Sequence, residues 1–317
     1  MGPRGQFDLV GHKLLRYDEF IPGSLVAANN WIAAPSNPED EWMRSLMVLI
    51  GEWRAILRST YIRWAMAING LHVAAEKYQR DNTNAKAFEV RSVRSDKSGN
   101  IEQAAVLQMS FAEAAEAHLK VQPMLCAHGF IDMYAGLEEM IFAFYRIFLS
   151  ARPELILRGD EFKAHRKAQR NAKSGPEQQR TWEELWAKRL HAWQRNRLYD
   201  GLGKVFLAFC SQSGLKTPAG YTVTTVDSWA ESIEGLSLIR NALTHGATVV
   251  SRELADFCTK PHSLGFDFQE NDPLRLELLD LQAVEAFCDQ LLTAINMSLV
   301  ELAHPDVRKA ATELNKG

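Results

Sequence analysis

The stretch Phe130-Ile-Asp-Met-Tyr-Ala-Gly-Leu-Glu-Glu-Met-Ile-Phe-Ala-Phe-Tyr-Arg-Ile-Phe-Leu149 decides the fold. From Phe130 onward, Met133, Tyr134, Leu137, Ile141, Phe144, Tyr145 and Phe148 recur at three- and four-residue spacing, the period of an amphipathic helix. The spacing predicts a helix over about 124–151, with Pro153 just beyond its end. Asp132, Glu138, Glu139 and Arg146 interrupt the apolar run, and a bilayer centre penalises each such group. The stretch reads as a central bundle helix, not a membrane span.

Upstream, Ser110-Phe-Ala-Glu113 is a capping box that opens a helix, and Pro123 predicts a break or kink before the next one. Phe88–Val93 and Ile101–Leu107 flank Arg94-Ser-Asp-Lys-Ser-Gly-Asn100, which suits either a hairpin or two short irregular pieces. Asn37-Pro38-Glu39-Asp40 supplies an N-cap, a proline at the first helical position and two acids at the positive end of a helix dipole. Apolar residues from Met43 to Ala75 then keep helical spacing to about residue 80. Trp53, Tyr61 and Trp64 share that spacing, which makes them packing surface rather than a base-stacking platform. Residues 1–36 carry closely spaced Gly and Pro and read as an irregular arm.

Downstream, residues 158–197 hold eleven Lys and Arg against five acids. Lys163, Arg166, Lys167, Arg170 and Lys173 fall at helical spacing with no acid among them, a candidate RNA-binding stripe whose plainer reading is a solvated face. Ser174-Gly175-Pro176 breaks the segment, and Thr181-Trp-Glu-Glu184 has the pattern of a second cap. Leu198–Phe209 predicts a further helix, and Asp227-Ser228 starts one that ends near Gly246. Residues 259–273 read as a loop, Leu274, Leu276 and Leu278 alternate as in a short strand, and Asp280 opens a last helix stopped by Pro305. The result is an all-α protein: an up-and-down bundle over 121–305 with a basic helical insertion at 158–197, a mainly helical N-terminal region over 1–120, and a tail at 306–317.

Composition narrows the function classes. The 317 residues are 46% hydrophobic and 24% charged with a net charge of −3, so broad coating of nucleic acid by a polycation is excluded. Four separated cysteines form no C-x-x-C pair, in keeping with a reducing, cytoplasmic home, and Cys258-x3-His262 lacks two further ligands for zinc. The chain has no H-E-x-x-H, Walker loop, G-x-G-x-x-G or G-x-S-x-G motif, which removes the main support for zinc protease, P-loop ATPase, Rossmann and α/β-hydrolase readings. No metal and no cofactor is expected.

Arg240-Asn241-Ala-Leu-Thr-His245 carries the chemistry. Asn241 and His245 are four apart on one helix face, and Arg240 is one residue round with the reach to join them. Arg offers a donor fork suited to phosphate, and His can act as general acid or base while Asn orients its partners. The last turn of a helix also favours a cation. In RNA the 2′-hydroxyl is a built-in nucleophile, so such a trio needs no metal-bound water. The expected products are a 2′,3′-cyclic phosphate and a 5′-hydroxyl, and DNA is resistant.

The string Arg240-Asn241-x3-His245 resembles the R-x4-H motif of the HEPN superfamily of helical ribonucleases. Over about 124–304 the order of long helix, motif helix, loop and final helix is also similar to that family. The resemblance implies a metal-independent endoribonuclease with Arg240, Asn241 and His245 as its catalytic residues. It also implies a homodimer with a composite cleft, an antiviral or toxin–antitoxin role, and a possible antitoxin or regulatory protein as partner. One subgroup has a modifiable Tyr two residues after the His, where this chain has Ala247. The alternative is a non-catalytic helical module that binds nucleic acid or an acidic protein through its basic stripe.

Overall fold

The computed structural model describes residues 32, 35, 37–80 and 87–314; the arm expected over 1–36 falls almost wholly outside the described residues. Among the described residues the chain is mainly helical, with one two-stranded antiparallel sheet. A 3-10 turn at Pro38–Asp40 leads into α1 (Glu41–Arg80), and Asn37 Oδ1 accepts from the Glu39 N–H at 3.1 Å. A hairpin of β1 (Ala87–Ser95) and β2 (Ile101–Ser110) connects α1 to α2 (Phe111–Ala151). The basic segment folds as α3 (Lys163–Asn171) and α4 (Pro176–Arg197). Then follow α5 (Leu202–Ser213), α6 (Val226–Thr244), α7 (Arg252–Cys258), α8 (Leu278–Ala303) and α9 (Pro305–Leu314).

Helices α1 and α2 run antiparallel. Asp40 pairs with Arg152, the Trp42 ring meets Phe148, Trp64 Nε1 donates to Asp132, and Tyr78 meets Phe111. At 1.5 Å per residue each helix is about 60 Å long. Their inner halves build the core, where Phe130, Phe142, Phe144 and Tyr145 of α2 are buried with Phe206 and Phe209 of α5. Gly129 marks the closest approach of three helices: a Cβ there would lie 2.6 Å from Leu281 of α8 and 3.0 Å from Trp64 of α1. The outer halves form an arm, in which Ala75, Ala114 and Ala115 are the buried apolar residues outside 42–68 and 126–149.

Four local expectations are corrected. Pro123 does not break the chain, because α2 is continuous across it; the lost N–H costs about 3 kcal/mol in a free helix, and packing against α1 offsets it here. Thr181-x-x-Glu184 is not a cap: α4 begins at Pro176 after Gly175, and the Thr181 hydroxyl donates to the Glu177 carbonyl in mid-helix. Leu274, Leu276 and Leu278 make no strand, since alternation needs a partner and the only pairing there is an isolated bridge, Val249 to Pro273. Finally, the tail at 306–317 contains α9, with Pro305 at its first position instead of merely stopping α8.

The boundary drawn at residue 120 falls inside α2, and α1 shares one apolar core with the bundle. Polar contacts reinforce that union. Arg54 Nη1 of α1 pairs with Asp289 Oδ1 of α8 at 2.6 Å and Nη2 donates to Thr293 at 3.1 Å, while Arg58 bridges Glu285 and Asp289.

Candidate active site

The Arg-Asn-His trio sits where α6 ends. Thr225 and Ser228 close a reciprocal capping box at the start of the helix, two residues before the expected Asp227. At the other end His245 is the C-cap and Gly246 follows with φ +70°. The Gly246 N–H bonds to the Leu243 carbonyl at 3.2 Å and the Ala247 N–H to the Ala242 carbonyl at 2.9 Å, the two hydrogen bonds of a Schellman motif. Beyond it the chain is pinned to the loop before α8 by Leu274 N–H to Thr248 O and Val250 N–H to Asp272 O. His245 is thus held between a helix end and an anchored loop. Gly246→Ala leaves open space around its new methyl but strains the left-handed backbone, and urea unfolding should register a loss of about 1 kcal/mol.

Arg240 is braced from below by α2. Its guanidinium carbon lies 4.9 Å from the centre of the Tyr134 ring, Nη2 pairs with Glu138 Oε2 at 3.3 Å, and Nη1 donates to Asn241 Oδ1 at 2.9 Å. Tyr134 in turn shares a 2.7 Å hydrogen bond with Ser237 one turn earlier on α6. Burial pushes the Tyr134 phenol above its ordinary value, with the Ser237 bond opposing, so the ring stays neutral beneath the cation. Of five guanidinium N–H groups, these bonds engage two, and the ring lies against the guanidinium plane. Arg240 is half-buried, whereas Asn241 and His245 are exposed, and the His245 ring has no hydrogen bond or ion pair among the described residues.

Glu138, read from the sequence as a charge interrupting the apolar run, is thus the α2 partner of Arg240. Tyr134 and Ser237 were not singled out as site residues. Tyr134 and Glu138 do stand four apart on one face of α2, but that spacing alone does not say which helix they meet.

The basic stripe lies along α3 and the 3-10 turn that follows it. Arg166 donates to the carbonyls of Leu157 and Gly159 and so serves the segment's own structure, while Lys163 is exposed and pairs with the exposed Asp160. Lys167, Arg170 and Lys173 remain exposed. Nearby Arg189 donates twice to the Ile156 carbonyl and covers Phe162. Helix α3 packs on α4, while the motif lies on α6 against α2.

Two other chemistries find little footing. A cleft of about 780 Å³ lies between α5, α6 and α7, and its rim of Asp227, Glu231, Glu234, Glu253 and Asp256 outnumbers its Lys and Arg, the wrong sign for a polyanion. Burial pushes the Cys126 thiol up to about 11 and that of Cys210 up to about 12, far from the thiolate a nucleophile needs. Among the described residues no three His, Cys, Asp or Glu side chains form a metal-holding group, and no helix is long and apolar enough to cross a membrane. Comparison with known proteins finds no matching family model, no matching curated protein and no matching solved structure.

Proposed function

We propose that the protein is a metal-independent endoribonuclease of the HEPN type, in which Arg240 grips the scissile phosphate, His245 transfers the proton, and Asn241 orients both. The observation that carries this reading is that Arg240, Asn241 and His245 share one exposed helix end, with the guanidinium held by Tyr134, Glu138 and Asn241. An Arg–carboxylate pair about one-third exposed contributes little stability. A phosphate can therefore take the free edge of Arg240 without dismantling the fold. With the 2′-hydroxyl as nucleophile, its proton passes to His245 as the 2′-oxygen bonds to phosphorus, the P–O5′ bond breaks, and the 5′-oxygen takes a proton from water, giving a 2′,3′-cyclic phosphate and a 5′-hydroxyl.

One copy of the motif lies on an open surface, not in an enclosed cavity, which supports a homodimer whose two motifs complete one cleft. A toxin or antiphage role, with an antitoxin or regulatory partner, completes the proposal. Incubation with RNA in excess EDTA should give cyclic-phosphate ends, and a strand with 2′-deoxyribose at the cleavage position should survive. Cleavage that requires added metal, or that proceeds through deoxyribose, overturns the reading. The exposed Lys167, Arg170 and Lys173 favour a second reading, a salt-sensitive binding module without turnover. Salt-sensitive RNA binding with no cleavage in either buffer selects it.

A further inference from the structure

The β1–β2 hairpin at the far end of the α1–α2 arm is the least covered part of the described chain. Val90, Val93, Ile101, Val106 and Leu107 are all large, apolar and exposed, from 38% for Val90 to 75% for Ile101. Both faces of β2 are open, and the hairpin's helix contacts are with α2, the helix that continues it. A lone two-stranded hairpin is at best marginally stable in water, and three or more strands are the usual minimum. Among the described residues these strands have no partner sheet.

The two edges differ. On β2, Leu107 faces Val90 and Ala105 faces Arg91, which leaves Val106 as an extra residue in a bulge that bends this strand. Bulges, lysines, prolines and short length are the devices that blunt an edge. β1 is nine residues long, contains no proline or lysine, and is the unbulged strand of the pair.

We propose that β1 pairs edge to edge with β1 of a second copy of this chain, antiparallel, with Val90 on the two-fold axis. In a two-fold antiparallel pair, opposing residues must share a face, so their positions differ by an even number. Centring on Val90 places Glu89 opposite Arg91 of the second copy, and Arg91 opposite its Glu89. The pairing then extends from Ala87 to Val93. On the other face, Val90 already sits beside Leu107, so the four strands carry a continuous row: Leu107, Val90, and then Val90 and Leu107 of the second copy. Centring on Arg91 would oppose two arginines, and centring on Ser92 would set Arg94 against Val90. Charge complementarity and the apolar row therefore choose both the occupant and the register. Within one chain Glu89 already accepts from Arg91 at 2.6 Å and from Gln108 at 2.9 Å on that face, so the carboxylates and guanidiniums are presented where the second copy meets them. The proposal does not rest on the ribonuclease reading, because it uses neither α6 nor the motif.

The test is a crosslink in the full chain. Opposing Cα atoms across such an axis lie about 4.5–5.5 Å apart, inside the range of about 4.4–6.8 Å that a disulfide spans. Val90→Cys should yield a covalent dimer under mild oxidation, doubling the 35.8 kDa mass on a non-reducing gel. Ile101→Cys, more exposed but on the outer strand, should not, nor should the parent chain with its native cysteines. In the Val90→Cys background, Glu89→Arg and Arg91→Glu should each abolish the crosslink, since like charges then oppose. An equimolar mixture of these two variants should restore it, because each charge meets its complement. Unchanged circular dichroism confirms that each chain is folded. Failure of Val90→Cys to crosslink, or single reversals that crosslink like the parent variant, overturns the proposal. Ribonuclease activity is measured separately and decides neither outcome.

Discussion

Replacing His245 by alanine should lower RNA cleavage about 10²–10⁴-fold, the usual contribution of a positioned general acid or base. The exposed ring has no polar partner among the described residues, so the urea midpoint should stay where it is. That separation of rate from stability is what a merely structural histidine would not produce. Arg240→Ala should cost about 10²–10³-fold, comparable with removing one donor from an oxyanion site. Arg240→Lys should not rescue it, because a lysine lacks the planar fork that lies over Tyr134 and reaches Asn241. Single-turnover cleavage of a short RNA, with melting curves on the same preparations, checks both. Full activity in His245→Ala and Arg240→Ala would end the ribonuclease reading.

The largest effect on stability is expected at Asp289. Its carboxylate holds Arg54, whose side chain is only 10% exposed, and also receives Arg58 at 3.0 Å. Asp289→Ala leaves a nine-tenths buried guanidinium without its carboxylate, and breaking such a pair costs about 3 kcal/mol. The double variant Arg54→Met, Asp289→Leu should recover most of that loss, since removing both charges also removes the desolvation penalty. Urea unfolding of the two variants against the parent checks the pattern. A loss in the double variant as large as in Asp289→Ala would mean that packing, not charge, joins α1 to α8 at this point.

Helical periodicity carried the sequence reading furthest. The long apolar stripes of α1 and of the Phe130–Leu149 stretch were legible because many residues in succession, eight of them in the second, repeat one spacing, and Ser110 with Glu113 marked a true cap. Short-range rules failed where the surroundings overrode them. Pro123 was read as a break or kink, and of these the break does not occur: α1 lies alongside and α2 continues. Thr181 and Glu184 fit a cap pattern, yet Gly175-Pro176 starts the helix a turn and a half earlier. The seven-residue α7 escaped notice because two turns show no period; its signal was Ser251, which accepts from the Leu254 N–H, before the buried pair Leu254 and Phe257. At the candidate site the Arg-Asn-His string was legible as a motif on one helix. The support from Tyr134 and Ser237 was not, because it depends on which face of α2 turns toward α6.

The bond between Arg54 and Asp289 spans 235 positions of sequence. During synthesis at about 5–20 residues per second, the partner of Arg54 emerges roughly 10–50 seconds after it. For that interval α1 can close only against α2, through the hairpin between them, while its α8-facing side with Arg54 and Arg58 stays wet. The arm and its first helix pair can therefore form before the bundle, which is sealed only once α8 has been made.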